Sequence, residues 1–129
     1  MSKILFMLGV VWASPNSLLG FVLGSLGCLT GGHVQRKGRA IEFYGGCVTP
    51  FLNLCCGRWV SAITLGHTIL GRDQVCLDEC REHEWIHVRQ YQRWGPFFLP
   101  AYALSSAIAW MQGKRPYRDN HFEREAYGD

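Results

Sequence analysis

The chain has 129 residues, 48% of them apolar, and a formal net charge of +3, enough length for one domain with a modest core. Its basic residues are spread out, with no stripe interleaved with aromatics, which argues against a nucleic-acid partner. Six cysteines, at 28, 47, 55, 56, 76 and 80, show no framework spacing and leave the redox compartment open.

The first element is the most apolar: Ile4 to Thr30 contains no charged residue. A straight helix of that length reaches about 40 Å, against a hydrocarbon core of roughly 30 Å. Pro15 and Asn16 interrupt the run, and if they break it, neither half crosses a bilayer alone. We favour a membrane-associated segment over residues 1–32, followed by a domain over 33–129. A signal peptide, with Ala13 at a cleavage-like position, and a buried helical hairpin are the alternatives. His33, Arg36, Lys37 and Arg39 form a basic flank, cytoplasmic by the positive-inside rule if the segment crosses once; Lys3 weakens the contrast.

Residues 40–71 read as three or four short strands. "AIEFY" (Ala40 to Tyr44) precedes Gly45-Gly46, a hairpin signal. "CVTPFLNLCC" reads as the next strand, with Pro50 placing it at an edge or bulge. "RWVSAITLGHTILG" is rich in β-branched residues, with Gly66 and Gly71 as punctuation. A helix is expected from Leu77, capped by Asp78, to Trp94, where Gly95-Pro96 stops it. Phe97 to Gln112 is a second apolar stretch, about 24 Å as a helix and short for a span. It suits a core helix or one dipping into the membrane interface. A polar loop and a short helix over 120–127 close the chain. The expected class is α+β: an apolar amino-terminal helical segment, a small mostly antiparallel sheet, then a metal-binding helix, an apolar helix and a short carboxyl-terminal ligand helix.

The chemistry concentrates in "HEWIH", His83 to His87. Residues four apart on a helix share a face, so His83 and His87 present two imidazoles to one ion. Zinc accepts imidazole nitrogen and favours four ligands. Glu84, about 100° round the axis from His83, misses the metal but can reach a water held by it and act as general base. A third ligand is available in the tail, where Glu123 is the first candidate, Glu125 the fallback and His121 the third. Glu123 also fits a capping box with Asn120, in which its carboxylate would turn back to the backbone. Cys76 and Cys80 share the helix face with the histidines. Cys76 and His87, eleven residues apart, stand about 16 Å apart along the axis, too far to share an ion. Small buried thiols are the expectation for both cysteines.

"HEWIHVRQ" followed by "NHFEREAY" resembles a gluzincin-type metallopeptidase, in which HExxH on one helix is completed by a glutamate from a later helix. The Glu123-Arg124-Glu125-Ala126 form is similar to the second-helix signature of membrane-embedded peptidases of the HtpX type and of the ImmA/IrrE type. It is also similar to short bacterial proteins that pair an apolar amino-terminal segment with such a site. The resemblance covers roughly Leu65 to the carboxyl terminus. It implies a zinc-dependent peptidase at a bacterial inner membrane acting on a peptide or protein substrate. His83, His87 and Glu123 would be the Zn2+ ligands and Glu84 the general base. The HtpX type carries an aspartate where this chain has Tyr127. The resemblance also implies that a strand within Ala62 to Leu70, carrying His67, pairs with extended substrate. Tyr127, Tyr91 and His121 are the candidate oxyanion donors. A non-catalytic zinc-binding structural or interaction protein of the membrane is the alternative function.

Overall fold

In the computed structural model, residues 3–38, 40–57 and 60–128 are described, with Phe6 described by its backbone alone. The apolar run forms one helix, α1 (Lys3–Leu29), with Pro15 inside it. Proline removes the amide that would bond the carbonyl of Val11. The Ser14 hydroxyl donates to that carbonyl instead, at 2.7 Å, and the helix continues. The interruption expected at Pro15 and Asn16, and with it the buried hairpin, is thus not found. The helix is long and apolar enough to cross a membrane.

Its packing inverts a core helix. Gly9, Ala13, Asn16, Gly20, Gly24 and Gly27 recur at helical spacing and face the rest of the chain, while Leu8, Val11, Leu18, Val22, Leu26 and Leu29 are exposed. Small residues let the helix axis approach the sheet closely. A Cβ added at Gly24 would lie 2.2 Å from the Phe43 ring, and one at Gly20 would lie 2.7 Å from Thr68. Asn16 donates to the Gly95 carbonyl at 3.1 Å, and Ser17 Oγ accepts from the His67 amide at 2.9 Å, which fixes the helix along its axis.

Four strands form one mixed sheet: β1 (His33–Lys37), β2 (Ala40–Tyr44), β3 (Ala62–Leu65) and β4 (Thr68–Gly71), in the order β1-β2-β4-β3. β1 pairs with β2 and β3 with β4 antiparallel, and β2 with β4 parallel, so the architecture is α+β as expected. Two expectations need correction. His33, Arg36 and Lys37 of the basic flank lie on strand β1, Arg39 lies outside the described residues, and the hairpin turns at Gly38 (φ +59°), not at Gly45-Gly46. The run after Gly46 is not a strand but helix α2 (Val48–Cys55). Pro50 sits in its first turn, where a missing amide costs nothing. Val48 and Leu52, four apart, bury against Phe43, Leu65 and Leu70. The helix links β2 to β3 at one end of the sheet, and β3, antiparallel to β4, returns the chain so that β2 and β4 run parallel.

Helix α3 (Gln74–Trp94) starts earlier than expected because Asp73, not Asp78, is its cap; Asp73 Oδ1 accepts from the Cys76 amide at 2.8 Å. Asp78 lies inside the helix and pairs with Arg81. Arg81 also reaches Glu42 on β2, Nε to Oε2 at 2.8 Å and a terminal nitrogen to Oε1 at 2.9 Å. Glu42 is fully buried, so this fork ties α3 to the sheet at a set register. Leu77 and Val88 fill the layer beneath, against Ala40, Ala62 and Ile69.

Gly95 ends α3 at φ +58° through a short 3-10 turn, and α4 (Phe98–Met111) and α5 (His121–Tyr127) follow. Phe98 and Phe122 join Ala13 and Tyr91 in a cluster that binds α1, α3, α4 and α5 together. The rest of α4 is not a core helix, since Leu104, Ile108, Trp110 and Met111 are exposed. The six cysteines are free thiols.

Candidate metal centre

Helices α3 and α5 bring His83, His87 and Glu123 together. Glu123 Oε1 lies 3.0 Å from His83 Nε2 and 3.1 Å from His87 Nε2, and the three ligand atoms are all within 4.8 Å of one another. Tetrahedral zinc with bonds of about 2.1 Å separates its ligand atoms by roughly 3.4 Å, so only small adjustments are needed. His87 and Glu123 are buried, and His83 is the partly exposed member.

The tail folds back because Asn120 holds it. Its Oδ1 caps α5 by accepting from the Phe122 amide at 2.8 Å, while its Nδ2 donates to the Tyr102 carbonyl and to Ser106 Oγ. The Asn120 amide bonds the Tyr117 carbonyl, so the capping-box role read for Glu123 is already filled. The Glu123 carboxylate is free to turn inward, and its second oxygen accepts from the Tyr102 hydroxyl at 2.7 Å. Glu125 instead accepts from Gln90 at 2.8 Å, and His121 lies exposed against Phe122. Neither belongs to the cluster.

Gln90 sets the chemistry of His87. Its Nε2 donates to the Phe122 carbonyl and to Glu125, which leaves its Oε1 to accept from His87 Nδ1 at 2.7 Å. This network assigns the proton to Nδ1 and turns the Nε2 lone pair toward Glu123. Two acceptors 3.1 Å apart need a cation between them, either a proton or a metal ion. With no metal bound, burial works to lower the His87 pKa, but the Glu123 carboxylate outweighs it and raises it. Burial likewise works to raise the Glu123 pKa, yet bonds from His83, His87 and Tyr102 hold it down to about 2. The site is built to hold positive charge.

Glu84 stands beside the cluster and outside it. Its Oε2 accepts from Thr64 Oγ1 on β3 at 2.6 Å, and burial raises its pKa. A cleft of about 530 Å³ borders it, lined by Ser61 and Ala62 at the sheet edge, by His83, and by Tyr117 and Tyr127 of the tail. The Cys80 thiol on the same helix is pushed up to about 12 by burial and by Glu84, a poor thiolate donor.

Of the oxyanion candidates, Tyr91 is buried and donates to the Thr64 carbonyl at 2.9 Å, away from the cleft. Tyr127 does border it, its ring 4.4 Å from that of His83 and its hydroxyl 3.3 Å from Tyr117 Oη. His67 lies in the β3–β4 turn and not on a strand, with Gln92 Nε2 at 3.2 Å from its Nε2. β3 is the edge strand on this side of the sheet, while β4 is paired on both sides.

Sequence reasoning missed Gln90, Tyr102, Asn120 as a tether, and Tyr117. Gln90 had a signal, since it follows His87 by three residues on the same helix. Tyr102 had none, because its distance from Glu123 is set by packing alone. Comparison with family models, with curated proteins and with solved structures finds no match to this chain.

Proposed function

We propose that the protein is a zinc-dependent hydrolase, a small membrane-associated metallopeptidase. The convergence of two imidazole nitrogens and one carboxylate oxygen carries the reading. Two histidines and a glutamate make a donor set that leaves zinc a fourth position. Bound there, zinc would polarise a carbonyl and lower the pKa of water toward 7. His83, His87 and Glu123 would hold it, with Gln90 and Tyr102 fixing the orientation of His87 and Glu123. Glu84, held by Thr64 next to the cleft, takes the proton of the attacking water and returns it to the leaving amine. Its raised pKa brings it nearer the range in which one group can do both. The unpaired side of β3 offers backbone groups to an extended peptide entering the cleft.

The membrane part of the reading rests on α1 and α4. Large apolar residues outside and glycines inside suit hydrocarbon as the solvent for the outer face of α1. The inner face meets the domain from Gly9 to Gly27, about 27 Å of axis. A perpendicular crossing would carry the sheet, with its Glu42–Arg81 pair, into the bilayer. An in-plane seat buries the outer face and keeps the sheet outside.

Purified protein should contain about one zinc per chain, and the His83→Ala, His87→Ala double variant only traces; equal traces in both would end the metal reading. Glu84→Gln should keep its zinc and lose about 10²–10⁴-fold in peptide hydrolysis. Unchanged turnover would remove Glu84 as the base. Gln90→Leu is expected to weaken zinc about 10–100-fold in competition with a chromophoric chelator, through a freed His87 ring; unaltered affinity would remove Gln90 from that role.

A further inference from the structure

A second and larger concavity, about 1050 Å³, lies away from the metal centre, between the amino-terminal half of α1, the outer face of α3 and the β1–β2 turn. Its floor is apolar: Leu5, Leu8 and Trp12 of α1 face Trp85 and Val88 of α3. Its rim carries Arg89 and Arg93, one turn apart. Arg89 makes no ion pair among the described residues, and Arg93 has only a 4.0 Å approach to Glu125. Among the described residues, no acidic one lines this groove. The Trp85 indole N–H is buried on the same wall, with no hydrogen-bond partner among the described residues.

The groove is continuous with the exposed face of α1, because Leu5, Leu8 and Val11 belong to both. An apolar trough opening onto a lipid-facing helix and ending at two guanidiniums, that of Arg89 with no ion pair among the described residues and that of Arg93 with only a 4.0 Å approach to Glu125, matches one kind of occupant. We propose that this groove seats an anionic phospholipid. One acyl chain lies along Leu8, Trp12, Trp85 and Val88, and the phosphate is held by Arg89 and Arg93. Guanidinium binds phosphate through paired N–H donors, stronger than neutral hydrogen bonds. The proposal rests on the membrane reading of α1 and is independent of zinc and of hydrolysis.

The experiment uses the full chain with vesicles of phosphatidylcholine alone or with phosphatidylglycerol, in each case with brominated acyl chains that quench tryptophan on contact. Flotation with both vesicle types is expected, with quenching strongest on phosphatidylglycerol. The Arg89→Gln, Arg93→Gln double variant, checked for its fold by circular dichroism, should still float. Its apparent affinity for phosphatidylglycerol should fall at least tenfold, to the phosphatidylcholine level. Trp85→Phe should lose a share of the quenching that the arginine variant also loses. Inorganic phosphate at the same charge concentration should not compete, since it offers no chain for the trough. Equal quenching by both lipids, or a phosphatidylglycerol preference unmoved in the arginine variant, would overturn the groove while leaving membrane association standing. Failure to float with either vesicle would overturn both.

Discussion

Arg81→Met is expected to destabilise the fold by about 3–5 kcal/mol, the usual cost of leaving a buried charge without its partner. For a domain of this size that is a fall of roughly 10–20 °C in the melting midpoint. Glu42 has no exposure and sits on an interior strand, where Arg81 supplies two of its hydrogen bonds and Gln35 a third at 2.8 Å. The methionine fills much of the space of arginine but answers no charge. The double variant Arg81→Met, Glu42→Met should recover most of the loss, because it removes both charges together. If the single variant melts no lower than the double, the pair does not hold α3 to the sheet. The fork lies less than one helical turn before His83, so the single variant should also release zinc more readily than the double.

Gly24→Leu is the second large effect, and it pits two principles against each other. In a helix interior, leucine is preferred over glycine by nearly 1 kcal/mol, so an unpacked α1 would gain. In the folded chain the first added carbon already falls 2.2 Å from the Phe43 ring. Phe43 cannot yield, since it is buried among Val48, Leu52, Leu65 and Leu70. Overpacking of that kind costs about 3 kcal/mol, and α1 must lift from the sheet. We expect Gly24→Leu to lose stability in chemical denaturation in micelles, and Val22→Leu on the exposed face to stay within about 0.5 kcal/mol of the parent. A stabilised Gly24→Leu would mean that α1 does not pack as described.

The pattern behind that prediction was present in the letters. Gly9, Ala13, Asn16, Gly20, Gly24 and Gly27 are spaced by three and four. The charge-free length of the segment suits a span whichever face packs, and Pro15 suggests a break that Ser14 repairs. The error over residues 47–56 has a different cause. A short apolar run fits a buried strand or a buried helix equally well, and periodicity alone does not choose. Here packing chose: Val48 and Leu52, four apart, bury one helical face against Phe43, Leu65 and Leu70. Strand β1 escaped notice because an edge strand with one exposed face carries little apolar signal, and its burial is low along its whole length.

What the sequence by itself determined is local. Helical geometry places His83 and His87 on one face and turns Glu84 aside, whatever the rest of the chain does. The stop at Gly95-Pro96 and the β3–β4 hairpin are local in the same sense. The third member of the cluster was a tertiary decision. The sequence put Glu123 ahead of Glu125 and His121, but the three lie within five residues of one another on one short helix, and helical geometry by itself does not decide which one reaches the histidines. What seats Glu123 there is how α5 is pinned: Asn120 locked onto Tyr102 and Ser106 of α4, and the Tyr117 carbonyl taking the amide Glu123 would have capped. Those contacts join residues distant along the chain, and burial of Phe98 and Phe122 in one cluster is what brings them into reach.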